Sequence, residues 1–288
     1  MTDLECVENT ADVLGEVPRW HVTENALYWI DAFKPAVHRF DPATGKTESW
    51  TPHDKLGSFA PIASGGLLLA GRNGFVLYDP RSGRYDRISD PENGATVNIL
   101  NDGRCDSHGR FWVGSMSRTI QSPTGSLYRL ERGKTDKLGN TIWVANGLAF
   151  SPDDKRMYFA DSHLHMIFAY DFDVDSGTVG TRHEFAKVDP KGSPDGAAVD
   201  ENGFLWIALF DGGCVARYAP DGRLDRVIEM PVSRPTAVTF GGPGLRTLYV
   251  TTARFRLAPE KLASETHAGG LLALDVGVAG LPEPMYAG

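Results

Sequence analysis

The chain has 288 residues, a formal net charge of −8 and an isoelectric point near 5.5. Its 41% hydrophobic and 10% aromatic content suffices for a buried core, and the absence of any Lys/Arg-rich run argues against nucleic acid and anionic membranes as partners. No apolar stretch approaches the roughly 18 residues of a bilayer span. The opening residues, MTDLECVENTADV, lack the basic and apolar regions of a leader, so a cytoplasmic protein is expected. Cys6, Cys105 and Cys214 are widely spaced with no Cys-x-x-Cys pair. That pattern fits reduced, buried thiols rather than a thiolate zinc site.

In chain order, short aromatic and β-branched runs recur at Leu27–Ile30, Leu67–Leu69, Phe111–Val113, Met157–Phe159, Leu205–Ile207 and Leu248–Val250. Their centres lie about 39 to 48 residues apart. A second strand-like run follows most of them, often before a tight turn such as Asp41-Pro42-Ala43-Thr44-Gly45 or Asp79-Pro80-Arg81-Ser82-Gly83. Proline presets φ in such a turn, aspartate caps the backbone and glycine accepts positive φ. Further turns, including Ser107-His108-Gly109 and Glu201-Asn202-Gly203, precede the aromatic runs as corners between successive strands. A period of this length with several strands per unit predicts an all-β, six-bladed β-propeller over residues 1–288 as a single domain. A parallel α/β fold would need helices between the strands, and only 258–266 has that character. The segment near Leu4–Val7 is expected to join the last blade beside Gly270–Leu274.

Propeller chemistry is expected where first strands converge, so polar residues just before the aromatic runs are the candidates. Glu16 lies in Leu-Gly-Glu-Val-Pro-Arg-Trp, Asn146 in Val-Ala-Asn-Gly-Leu-Ala-Phe, and Asp195 in Ser-Pro-Asp-Gly-Ala-Ala-Val. A carboxylate in an apolar stretch is costly unless it is paired or bound to a cation. Two carboxylates and an amide oxygen suit Ca²⁺, Mg²⁺ or Mn²⁺ and also accept Zn²⁺ or Fe²⁺. The competing reading is that Asn146 and Asp195 cap turns, and Asn101-Asp102-Gly103 also reads as a turn. His163 and His165 could line a pocket mouth or lie on a surface loop. No P-loop, dinucleotide fingerprint or Gly-x-Ser-x-Gly elbow is present.

Four motifs occur in order: Leu-Gly-Glu-x-Pro-x-Trp, Asn-Asp-Gly-Arg-Cys-Asp with Gly-Arg-Phe-Trp-Val-Gly-Ser-Met, Asn-Gly-Leu-Ala-Phe-Ser-Pro-Asp, and Pro-Asp-Gly-Ala-Ala-Val-Asp. Together they resemble the SMP-30/gluconolactonase/regucalcin-like family, over about residues 12 to 275. Gly125–Arg129 and the stretch from Gly241 to Ala253 resemble its bacterial sugar-acid lactonases of the arabinono- and xylonolactonase type. The resemblance implies a propeller with one divalent cation held in its central channel by Glu16, Asn146 and Asp195. It also implies a substrate contact from Asn101. Many members carry an arginine two residues before that asparagine, where this chain has Ile99. A family glutamate would fall near Thr119. Asn98 or Arg118 is expected to supply the missing donors. The activity implied is metal-dependent hydrolysis of a pentono- or hexonolactone such as L-arabinonolactone, with Asp195 as general base. The alternatives are a promiscuous organophosphate or aryl-ester hydrolase and a non-catalytic calcium-binding propeller.

Overall fold

The computed structural model describes residues 4–94, 97–189 and 191–288. They form six four-stranded antiparallel sheets, the blades of an all-β, six-bladed β-propeller. The expected fold class is therefore met. The chain divides into two compact units, Met1–Pro52 with Val188–Glu283, and His53–Lys187 with Pro284–Gly288.

The first unit holds three blades. Blade 1 runs through Gly15–His21, Ala26–Asp31, Ala36–Asp41 and Lys46–Trp50, and blade 5 through Ser193–Val199, Leu205–Phe210, Cys214–Tyr218 and Leu224–Glu229. Blade 6 takes Pro235–Gly241, Thr247–Thr252 and Leu271–Asp275, and its outer strand is Glu5–Glu8 from the chain's beginning. Cys6 pairs with Leu272 there, as the sequence predicts. The helix-like stretch becomes a short helix, Pro259–Ser264. The second unit holds blade 2 (first strand Leu56–Pro61), blade 3 (first strand Asn98–Cys105) and blade 4 (first strand Ala145–Phe150).

The recurrent aromatic runs are the second strands. Ala26–Asp31 and Leu67–Gly71 are buried throughout. Such strands have apolar neighbours on both faces, so they read as unbroken apolar runs rather than as alternation. The fourth strands are half-solvated, as in Lys46–Trp50, and carry the polar residues that hid them from the periodic pattern. Cys105 and Cys214 are buried free thiols as expected, whereas Cys6 on the outer strand is half-buried.

The corners between first and second strands repeat one device. Asp106 accepts backbone N–H bonds from His108 and Arg110, and its other oxygen accepts from Trp112 Nε1 at 2.8 Å and Arg110 Nε at 2.7 Å. Asp200 does the same for Asn202, Phe204, Trp206 Nε1 and Arg217 Nη2. Both aspartates are fully buried. Their charge is tolerated because every lone pair direction meets a donor and a guanidinium lies alongside. The turn, the buried indole and the strand pair are thus fixed by one side chain, which is why Asp-x-x-Gly-x-x-Trp recurs.

Candidate active site

Every first strand slips register against its second strand at an equivalent place. The irregularities fall between Glu16 and Arg19, Leu56 and Ser58, Leu100 and Gly103, Asn146 and Ala149, Pro194 and Ala197, and Pro235 and Ala237. A bulge leaves a residue out of the ladder and re-aims its side chain. Gly57, Asn101, Asp195 and Thr236 lie inside these irregularities, and Glu16 and Asn146 are the last paired residues before theirs, opposite Ile30 and Ala160. Four of them are the candidates that the sequence singles out as ligands or substrate contacts.

Within the first unit the bulges of blades 5, 6 and 1 succeed one another. Gly196, beside Asp195, faces Ala237 so closely that a Cβ at 196 would lie 2.3 Å from the Ala237 Cβ. Only glycine permits that approach. Thr236 Oγ1 then donates to the Gly15 carbonyl at 2.5 Å and lies 2.8 Å from Thr251 Oγ1. Fully buried Thr236 therefore ties the first strand of blade 6 to the strand of Glu16, while the neighbouring Ala237 packs against the strand of Asp195. Asp195 is buried and Glu16 half-buried. Sequence reading missed Thr236, although Arg-Pro-Thr-Ala-Val-Thr-Phe repeats the layout of Ser-Pro-Asp-Gly-Ala-Ala-Val.

Within the second unit the sequence is glycine, amide, amide. A Cβ on Gly57 would fall 1.9 Å from the Leu100 carbonyl oxygen and 2.7 Å from Asn101 Cα. Asn101 Nδ2 donates to the Ala145 carbonyl and to Asn146 Oδ1, both at 2.9 Å. Those two bonds fix the orientation of the amide, because a carbonyl can only accept. They use both N–H groups of Asn101 and leave its Oδ1 with no partner among the described residues. Asn146 in turn donates from Nδ2 to Ser162 Oγ at 2.8 Å, so its Oδ1 keeps one lone pair beyond the bond from Asn101. Buried Asp102 accepts from the Leu148 N–H at 2.9 Å and ties the two bulges together. The expected Asn101-Asp102-Gly103 turn is instead part of the strand Asn98–Cys105, where Asp102 accepts from the next blade and Asn101 donates to Asn146.

The remaining candidates are placed differently. Both donor bonds of buried Asn98 are engaged, to Glu92 Oε2 and the Thr124 carbonyl at 3.0 Å, and its Oδ1 accepts from Thr124 Oγ1 at 2.6 Å. Arg118 is exposed on the loop after Phe111–Ser117, with its backbone N–H bonded to the Val97 carbonyl. Ile99 pairs with Met116 across the ladder. His163 is exposed in a short 3₁₀ turn and stacks on Trp143 at 4.2 Å. Near the start of blade 6, Glu265 accepts from the Ser233 N–H at 2.9 Å and hydroxyl at 3.0 Å and pairs with Lys261 at 2.8 Å. Burial raises the Glu265 pKa, but bonds from Lys261 and Ser233 outweigh it and the net shift is downward.

Among the described residues, no three His, Cys, Asp or Glu side chains are grouped as a metal cluster. The set expected from sequence is of another kind, with two carboxylates and one amide. Its donors are all oxygens, and Asn146 Oδ1 retains a free lone pair, so the set is chemically suited to a hard divalent cation.

A family model for the SMP-30/Gluconolactonase/LRE-like region matches residues 14–254. The chain belongs to this family. It is 39% identical over 289 residues to a 6-deoxy-6-sulfogluconolactonase of Pseudomonas putida, covering 99% of each chain. It is 35% identical to an L-arabinolactonase of Azospirillum brasilense, covering 97% of this chain and 94% of that one. Among solved structures it resembles a calcium-binding regucalcin of Agrobacterium tumefaciens, with a TM-score of 0.94, 29% identity, and coverage of 98% of this chain and 96% of the other.

Proposed function

We propose that this lactonase hydrolyses an aldonolactone to its aldonic acid, with a pentono- or hexonolactone such as L-arabinonolactone as substrate. The observation that carries the reading is that Asn101 and Asp195 lie within the bulges of their first strands and Glu16 and Asn146 directly before theirs. Evenly repeated strands need no polar residue there, and perturbed carboxylates in such places gather at functional sites. The relatives named for sugar lactones support the same substrate class.

In this proposal Glu16, Asn146 and Asp195 hold one divalent cation, with Ca²⁺, Zn²⁺, Mn²⁺ and Fe²⁺ all compatible with their oxygens. When bound, the cation supplies positive charge that stabilises the negative charge developing on the lactone carbonyl oxygen. Asp195 takes a proton from the attacking water and returns it to the ring oxygen as the C–O bond breaks. Asn101 accepts from a sugar hydroxyl through Oδ1, since its N–H groups are committed elsewhere. Arg118 belongs to the substrate-facing wall, and Asn98, expected there as a donor, instead spends its N–H groups on Glu92 and Thr124. The proposal takes residues 1–288 as one domain and the cytoplasm as its location. Among the described residues no helix is long and apolar enough to cross a membrane.

The test is proton release from a panel of aldonolactones by metal-stripped protein, before and after addition of each cation. Hydrolysis that returns with one cation is expected. Full activity in the stripped protein would remove the cation from the scheme. The regucalcin likeness favours one second reading, cation binding without turnover. Calorimetric binding of Ca²⁺ with no hydrolysis across the panel would select it.

A further inference from the structure

Arg234 directly precedes the first strand of blade 6 and stands two residues before the Thr236 bulge. Its carbonyl accepts from the Ala253 N–H at 3.0 Å, and Ala253 bridges Leu14, two residues before Glu16. Its side chain runs the other way. Nε donates to Asp211 Oδ1 at 2.5 Å, and Nη1 donates to the Phe255 carbonyl. Asp211 follows strand Leu205–Phe210, whose Phe210 pairs with Ser193, two residues before Asp195. Within the first unit Arg234 thus meets, through its carbonyl and its guanidinium together, segments that lead to Glu16, Thr236 and Asp195.

A guanidinium has five N–H donors. Two bonds hold Nε and Nη1, and the ring of Phe210 lies 5.1 Å from the guanidinium carbon. Nη2 has no partner among the described residues. The side chain is only 16% exposed, so its geometry is set before any ligand arrives. A fixed, partly desolvated guanidinium edge matches an oxyanion better than a flexible lysine does. The adjoining segment, Arg254-Phe255-Arg256, adds two exposed cations in a chain of net charge −8. Phe255 also packs against the exposed Phe33 at 5.2 Å, which gives the same region an apolar wall.

We propose that Arg234 is a specificity-determining residue that reads a negative charge on the substrate. The substrate class is an aldonolactone bearing an oxyanion group, such as a sulfonate, phosphate or carboxylate, at the end remote from the ring carbonyl. This rests on the lactone-hydrolysis reading above. It gives a recognition group to a chain whose position 99 is isoleucine.

The experiment compares kcat and KM for gluconolactone and for its 6-sulfo, 6-phospho and 6-carboxylate counterparts in wild type, Arg234→Ala and Arg234→Lys. Circular dichroism verifies that each variant folds. Wild type is expected to prefer at least one anionic lactone. Arg234→Ala should lose about 10- to 100-fold in kcat/KM on it, mainly through KM, as expected for a lost charge-assisted bond. Its rate on neutral gluconolactone should stay within about 2-fold, and Arg234→Lys should recover part of the loss. The arm that suffers most identifies the oxyanion. Equal losses on neutral and anionic lactones, or no wild-type preference, would overturn the proposal. If no lactone is hydrolysed, the hydrolysis reading fails separately. Calorimetric binding of the matching anionic aldonates, weakened in Arg234→Ala, then still decides the role of Arg234.

Discussion

The two compact units build their bulges from the same backbone irregularity and fill them with different chemistry. The first carries Asp195, Thr236 and Glu16, and the second Gly57, Asn101 and Asn146. Both ionisable bulge residues therefore fall in one unit and both amides in the other. In the first, a threonine hydroxyl bonds the backbone of the Glu16 strand, and Gly196 packs the Asp195 strand against Ala237. In the second, Asn101 donates to Asn146 and Asn146 to Ser162, which leaves Asn101 Oδ1 as an acceptor. Repetition of a blade fixes where a side chain is released from the ladder. The residue type at that position then decides whether it supplies charge or orientation.

The sharpest test of that division is Asp195→Asn. The amide keeps the size of the side chain but loses the negative charge and the proton acceptor. Turnover should fall about 10²- to 10⁴-fold, the range of general acid–base contributions, while the melting temperature stays near wild type. The comparison breaks if Asn146→Ala reduces kcat as severely with the cation still bound, because the amide unit would then also carry the chemistry.

A second test concerns what the neutral bulge is for. Gly57→Ala puts a methyl group against the Leu100 carbonyl and Asn101 Cα at distances no real Cβ tolerates. Either the strand of Asn101 moves or the blade loosens, at a cost of about 2 kcal/mol or more. Chemical denaturation should register this loss, and Gly139→Ala, where nothing lies within 4 Å, is the control expected to be near neutral. A stable Gly57→Ala protein with unchanged activity would show that blade 2 has slack that the close approach denies. Smaller still is Asn101→Ala. It should raise KM for the lactone about 10-fold, the scale of one lost hydrogen bond with its partner left unpaired, with kcat little altered.

The parts legible in the sequence follow from this architecture. Second strands are buried on both faces, so Leu205-Trp206-Ile207 and its counterparts stand out and set the blade period. The bulged candidates were legible because Glu16, Asn146 and Asp195 interrupt apolar stretches that should have none. Thr236 was not, because a threonine in a β-branched strand is unremarkable by composition, and its bond to Gly15 spans 221 residues. Arg234 escaped for a similar reason: its partners Asp211 and Phe255 lie 23 and 21 residues away in opposite directions. Asn98 stood out as a polar residue beside a motif, but its donors serve the fold at Glu92 and Thr124.

The smallest predicted effect reaches the charged unit through its support. Glu265 anchors Ser233, the residue before Arg234, and its pKa in the folded protein lies below the ordinary glutamate value. A carboxyl shifted down on folding stabilises the fold at pH values above its unfolded pKa. That contribution disappears as pH falls through the lower folded value. Glu265→Gln should therefore melt slightly below wild type near pH 7, and the gap should close as the pH is lowered past about 4. Lys261 is half exposed, so part of the pairing is screened and the gap stays small. A gap that persists unchanged to pH 3 would assign the Glu265 contribution to its shape and neutral hydrogen bonds rather than its charge. The hold of Glu265 on Ser233, the residue before Arg234, would then be independent of pH.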